Sequence, residues 1–352
     1  MNLTASTWPI AGATLCFNAI DPVTGADAQD AGPDEWLARL SEMRHLGFDH
    51  ADLTDSWLRP GDMPARDLVA LSQAASMAGV RLCSISAIRR PVIGSVEWAD
   101  NLAYSHRTID AAAALDIGVV SFGLHQALTE DQANSLWFWT VAGRRDPADP
   151  ADRKAAVARF QELGRHAAQV GVVVSLEMYE DTFLGTASSA VGLIEEIGLP
   201  NVGLNPDIGN LIRAHRPVED WRAVHAAVLP YANYWHVKNY LRHEDPDRGV
   251  YVTLPTRLEA GLIDYRAAFR LALAAGFQGI VTTETYGGDS LAMSAASRDY
   301  LRDTVLPEAA DYSLGPSKVI QQVRRTDAAR KDKPCPTNQS SKQRGCPSTT
   351  AL

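Results

Sequence analysis

The sequence predicts a single closed (β/α)₈ TIM barrel with a parallel eight-stranded sheet, and two patterns point to it. Eight short apolar or β-branched runs alternate with eight longer amphipathic stretches, and a glycine or proline repeatedly separates a helical stretch from the next run. A third observation argues against the main competitor. An open doubly wound sheet usually carries a glycine-rich phosphate loop after its first strand, and none follows here.

In chain order the strands are expected over 13–17, 50–54, 81–85, 119–124, 172–178, 202–206, 234–238 and 279–283. Most runs are apolar without strict alternation, as parallel strands covered on both faces require. The helices are expected over 34–46, 64–77, 95–115, 151–170, 187–197, 218–228, 264–275 and 290–312. The first starts at acidic Asp34 and stops before Gly47, and others stop before Gly79, Gly171, Gly198 and Gly276. Two connections are too long for plain turns: 126–150, which holds Leu136-Trp137-Phe138-Trp139, and 239–263. In a barrel both lie on the catalytic face. The barrel domain is expected over 1–312. The stretch 313–352 is polar, basic and without apolar periodicity, and reads as a disordered tail whose Arg324, Arg325, Arg330, Lys331 and Lys333 are solvated.

Composition narrows the function classes. Of 352 residues 46% are hydrophobic, enough for a substantial core, and 33 basic against 42 acidic residues give a net charge of −9. Such a chain repels phosphate backbones, so no nucleic-acid partner is expected. The N-terminus lacks a basic segment followed by an apolar one, and no apolar run approaches the roughly 18 residues of a membrane span. Cys16 and Cys83 lie in apolar runs and Cys335 and Cys346 in the tail, with no close pair to read as zinc or redox chemistry. A reducing cytoplasm is the expected location.

Catalytic groups in a barrel project from the C-terminal strand ends. Strands five to eight end in Glu177, Asp207, His236 and Glu284. Three carboxylates and an imidazole suit a hard or borderline divalent ion, Mn²⁺ first, with Mg²⁺, Co²⁺ and Zn²⁺ as alternatives. His125 ends strand four and is a candidate for acid/base work or substrate binding. Lys238 faces the same way and could bind a carboxylate or a sugar oxygen. Trp137, Phe138 and Trp139 either cover an apolar substrate group or pack as a lid on the rim.

The phrases Ser175-Leu176-Glu177, Asn205-Pro206-Asp207-Ile208-Gly209-Asn210 and Trp235-His236-Val237-Lys238-Asn239 make the chain resemble the xylose isomerase-like barrel superfamily, the sugar phosphate isomerase/epimerase group. So do Gly261-Leu262-Ile263-Asp264 and Gly276-Phe277-Gln278-Gly279, and the resemblance spans roughly residues 10 to 310. It implies that Glu177 and Glu284 both bind metal and move protons on opposite faces of a keto sugar, with a metal-stabilised enediolate. It places Arg242, six residues after the histidine, against substrate oxygens. Where the ketose 3-epimerase branch has a histidine, this chain has Asn210, which can hydrogen-bond a sugar but cannot transfer its proton. The chain is also similar to the α-subunit of bacterial C-glycoside deglycosidases, in which a 3-keto-glycoside loses a proton and expels an aromatic aglycone. That resemblance implies a small β-subunit partner, and an oligomer is expected in either case. Apurinic endonucleases share the barrel but carry many more strand-end histidines. A non-catalytic sugar-binding barrel would not need the four-residue set.

Overall fold

The computed structural model of the chain describes residues 2–322. Its strands and helices alternate in the expected way: β1 (Ile10–Ala13), α1 (Pro33–His45), β2 (His50–Thr54), α2 (Ala65–Ala78), β3 (Arg81–Ser86), α3 (Trp98–Ala114), β4 (Val119–Phe122), α4 (Glu130–Ala133) and α5 (Pro150–Val170). The second half continues with β5 (Val173–Glu177), α6 (Ala187–Ile197), β6 (Val202–Asn205), α7 (Gly209–Ile212), α8 (Trp221–Val228), β7 (Tyr234–Val237), β8 (Asn239–Asp245), β9 (Val250–Thr256), α9 (Tyr265–Ala274), β10 (Ile280–Thr283) and α10 (Ser290–Tyr300). Eight of these strands form one parallel sheet in the order β6-β5-β4-β3-β2-β1-β10-β7. The ring closes between β6 and β7 through the single bridge of Leu204 with Ala232, so it is a nearly closed TIM barrel.

Local chemistry sets the helix ends. Asp149, Thr186, Asp220, Asp264 and Asp289 each accept a hydrogen bond from a backbone N–H of the first turn, replacing a partner the helix cannot supply. Gly79, Gly171 and Gly198 close α2, α5 and α6 in the left-handed conformation. The helices lay apolar faces on the outside of the barrel. A small separate cluster of Ala11, Cys83, Val119, Val173, Tyr234 and Ile280 packs within the ring of strands.

Three expectations need correction. The first strand is Ile10–Ala13 and not 13–17, where Thr14–Cys16 makes a 3₁₀ turn. Ala11, Gly12 and Ala13 are weak strand formers, but a Cβ on Gly12 would sit 2.9 Å from Met43 Cε, so packing and not propensity selects small residues. The last helix ends at Tyr300, followed by a π turn over Leu301–Val305. Residues 313–322, expected as the start of a structureless tail, lie against the barrel: Gly315 N–H donates to Leu273 O, Lys318 N–H to Pro230 O and Ile320 N–H to Pro200 O. The remainder of the expected tail, 323–352, falls outside the described residues. No described helix is long and apolar enough to cross a membrane.

Two predictions follow from this packing. Gly276 has φ of +78°, and a Cβ there would lie 2.3 Å from Gly315 O. Gly276→Ala should therefore lower stability by about 1–3 kcal/mol, read by thermal unfolding. His225 is buried between Trp221 and Trp235, and its Nδ1 lies 2.8 Å from Trp221 O. Burial lowers its pKa to about 4. The unfolded chain, with a histidine pKa near ~6.5, takes up the proton first. Stability should be full above that pH and fall by roughly 3 kcal/mol as pH drops toward 4. Urea unfolding across that range should show this slope, and His225→Asn should flatten it.

Candidate metal centre

Period-two alternation along four neighbouring strands generates the site. The columns Val173-Ser175-Glu177, Gly203-Asn205-Asp207, Tyr234-His236-Lys238 and Ile280-Thr282-Glu284 run from apolar or small residues, through a polar layer, to charge at the mouth. Glu177, Asp207, His236 and Glu284 are all buried, and each offers one ligand atom within 4.8 Å of the others. The register pairs His236 with Thr282, so the imidazole sits one step deeper than Glu284 and Lys238 takes the carboxylate level.

Three carboxylates in so small a volume repel one another, and their ionisation shows it. Burial pushes Asp207 up to about 7, with Glu284 and Glu177 adding to the effect and Lys238 opposing it. Burial also acts upward on Glu177, but His125 and His236 outweigh it and hold that carboxyl down at about 2. For Glu284, Lys238 and His236 outweigh burial and hold it well below the carboxylate range. Lys238 Nζ lies 2.8 Å from both Asp207 Oδ2 and Glu284 Oε1. Gly209 makes room for it, since a Cβ there would meet Lys238 Cγ at 2.3 Å.

The residues fit a divalent cation. Asp207 Oδ1 and His236 Nδ1 are buried without a hydrogen-bond partner. His236 Nδ1 faces Glu284 Oε2 at 3.0 Å, Asp207 Oδ2 at 3.9 Å and Glu177 Oε2 at 4.0 Å. The ring's other nitrogen is fixed from below. Ser84 and Ser86 both donate to Asp52 Oδ1, at 2.7 and 3.0 Å. Ser86 has thereby used its only proton, so across 3.3 Å it accepts from His236 Nε2–H. Tyr234 OH lies 3.0 Å from the same nitrogen. A proton on Nε2 leaves the Nδ1 lone pair aimed at the carboxylates, the arrangement of a metal-binding histidine.

The other expected site residues divide. His125 Nε2 lies 3.5 Å from Glu177 Oε1, with its ring against Tyr179 at 3.9 Å between centroids. Asn210 donates to Glu177 Oε1 and to Met178 O, both at 3.0 Å, so its amide positions the glutamate. Lys238 is engaged by the carboxylates, as above. Trp139 is buried one layer out, donating from Nε1 to Thr253 Oγ1 at 3.1 Å. Arg242 does not meet the expectation of a substrate contact. The chain after β7 forms the antiparallel hairpin β8–β9, and this turns Arg242 onto the barrel. There it donates to the carbonyls of Ile212, Ala214 and Arg216, and to Glu244, so four of its five N–H donors are taken.

Sequence reasoning missed three features. Asp52 was legible, as a carboxylate inside the strand His50–Thr54. Arg89, at φ +54°, was not. Nor was Arg213, which is fully buried, paired with Glu180 at 2.9 Å, and set among the rings of Phe138, Trp139, Tyr179 and Tyr286 at 4.8 to 5.9 Å. Asp52→Asn should upset the histidine tautomer and weaken Mn²⁺ binding about 10–100-fold in titration calorimetry, with the fold retained.

Known proteins share this fold. The family profile described as xylose isomerase-like TIM barrel matches residues 40–304. An L-ribulose-5-phosphate 3-epimerase of Escherichia coli, UlaE, is 24% identical over 280 residues, covering 76% of this chain and 89% of that protein. A xylose isomerase-like TIM barrel protein from Mycobacterium smegmatis, solved in complex with magnesium, superposes with a TM-score of 0.82 at 41% identity, over 86% of this chain and 98% of the other. The Escherichia coli 3-keto-D-glucoside 4-epimerase YcjR shares the fold, with a TM-score of 0.58 at 17% identity over 84% of this chain and 99% of the other. The chain belongs to the xylose isomerase-like TIM barrel family.

Proposed function

We propose that the protein is a divalent-metal-dependent isomerase or epimerase that moves a proton next to the carbonyl of a keto sugar. The convergence of Glu177, Asp207, His236 and Glu284 on one small volume carries this reading. Those four residues would hold the ion, with Mn²⁺ preferred and Mg²⁺ the first alternative. A divalent ion there supplies Lewis acidity beside the carbonyl. The remaining chemistry belongs to the protein. Glu177, kept ionised by His125 and His236 and oriented by Asn210, takes the proton from the carbon beside the carbonyl, leaving an enediolate. Glu284, across the site on β10, delivers a proton from the other side, one that the Lys238 ammonium, donating to its Oε1 at 2.8 Å, passes to it and regains from solvent.

A second reading is favoured by His125. Its Nδ1 is buried without a partner and its ring lies tilted against that of Tyr179. An imidazole there could protonate a leaving group, which makes the same proton abstraction the first half of an elimination. The protein would then act as the α-subunit of a C-glycoside deglycosidase, with a small β-subunit as partner.

The Mn²⁺-loaded protein, incubated with keto sugars in D₂O, is expected to incorporate deuterium at the carbon beside the carbonyl. Glu177→Gln and Glu284→Gln should each cut turnover about 10²–10⁴-fold. Asp207→Asn should abolish bound metal, measured by elemental analysis of the purified protein. Absence of both exchange and bound metal in the wild type would sink the proposal. Release of a free aromatic aglycone from a 3-keto-C-glycoside, without epimer, would select the second reading.

A further inference from the structure

The outer face of the barrel carries a second cluster of metal-competent side chains, between α3 and α5. These helices flank β4, one before it and one after the 126–150 insertion. His106 and Asp110 stand one turn apart on α3, and Glu162 and His166 one turn apart on α5. A spacing of four puts each pair on one face of its helix. The two faces meet. His106 Nδ1 lies 2.8 Å from His166 Nδ1. His106 Nε2 lies 2.9 Å from Glu162 Oε1, and His166 Nε2 lies 2.9 Å from Asp110 Oδ1, so each carboxylate reaches across to the histidine of the other helix. The imidazole side chains are 28% and 22% exposed, which leaves the cluster open to solvent.

Counting hydrogens shows what this arrangement needs. A carboxylate accepts and does not donate, so both Nε2 atoms carry a hydrogen. A neutral imidazole has only one N–H, which leaves a bare lone pair on each Nδ1. Two lone pairs facing each other at 2.8 Å require a cation between them, either a proton or a metal ion. Each half also has the build of a metal-binding histidine, in which a carboxylate holds one ring nitrogen and aims the other.

We propose that His106 and His166 form a second metal site, which takes a borderline transition ion, Zn²⁺ or Cu²⁺, on their Nδ1 atoms and clips α3 to α5. This site is independent of the keto-sugar reading. Its donors set it apart from the barrel mouth. Three carboxylates and one imidazole suit Mn²⁺ or Mg²⁺, whereas paired imidazoles favour Zn²⁺ and Cu²⁺ and offer little to hard Mg²⁺. A tetrahedral ion with nitrogens at about 2.0–2.1 Å holds them about 3.3 Å apart. The rings therefore tilt to open their gap by about half an ångström, and their partial exposure gives them room to do so. Water completes the coordination on the open side.

The test starts from full-chain Asp207→Asn, in which the ion at the mouth is removed. Calorimetric titration with Zn²⁺ should find one more equivalent there than in the same chain carrying His106→Gln or His166→Gln. Glutamine can still donate to the facing carboxylate, so the helices are expected to stay packed. Zn²⁺ should raise the thermal midpoint of the parent by about 3–6 °C and leave that of the glutamine variants unmoved. Glu162→Gln and Asp110→Asn should each weaken Zn²⁺ binding about 10–100-fold without changing the count. Excess Mg²⁺ should leave the ion in place. The same zinc count with and without the two histidines would overturn the proposal, as would a midpoint raised equally in all variants. So would displacement by Mg²⁺, because carboxylates alone would then hold the ion, or undiminished affinity in both carboxylate variants. Mn²⁺ binding by the otherwise wild-type chain reports on the mouth alone, so either site can fail without the other.

Discussion

Electrostatic repulsion among three buried carboxylates is the constraint around which the barrel mouth is organised. Glu177, Asp207 and Glu284 cannot share so small a volume while ionised unless positive charge is brought to them. The chain supplies part of it through Lys238, which touches two of the three. Burial, with Glu284 and Glu177 adding to it, still lifts the Asp207 carboxyl. A divalent ion is the compact way to supply the rest. Nearly every unusual feature nearby then has a reason, from the small Gly209 that admits the lysine to the Asn210 amide that orients Glu177.

The same constraint reaches down into the barrel. A histidine that must present a lone pair upward needs an acceptor for its other proton, and the serine and tyrosine hydroxyls provide it. Those hydroxyls need a terminal acceptor, and Asp52 is buried to be one. The polar layer is therefore a chain of obligations that begins at the mouth and ends three strands round the ring, on β2. An all-apolar barrel interior would pack at lower risk, but it could not hold the imidazole in one tautomer.

Much of this was legible in the sequence. Periodicity located the strands and helices, because burial on both faces and helix stop signals are local properties. The four-residue set was legible because strand ends in a barrel share one face. Arg242 was not, since a motif offset counts residues and cannot register that the chain turns into a hairpin after Lys238. Arg213 was hidden for a related reason. Its partners come from 126–150 and from the chain just after β5 and β10, which only the fold brings together. The first strand misled for another reason, because packing against Met43 and Phe48 selects alanine and glycine where a strand would prefer branched residues.

The buried Arg213 has a mechanical meaning. Its guanidinium is gripped by Glu180 and by aromatic rings from both the 126–150 insertion and the barrel. Swinging that insertion aside would strip Phe138 and Trp139 from the guanidinium while Glu180, Tyr179 and Tyr286 stay with it. The insertion is thus pinned to the barrel at one buried cation, whose charge the barrel itself neutralises, so the aromatic segment can be exchanged without leaving that charge bare.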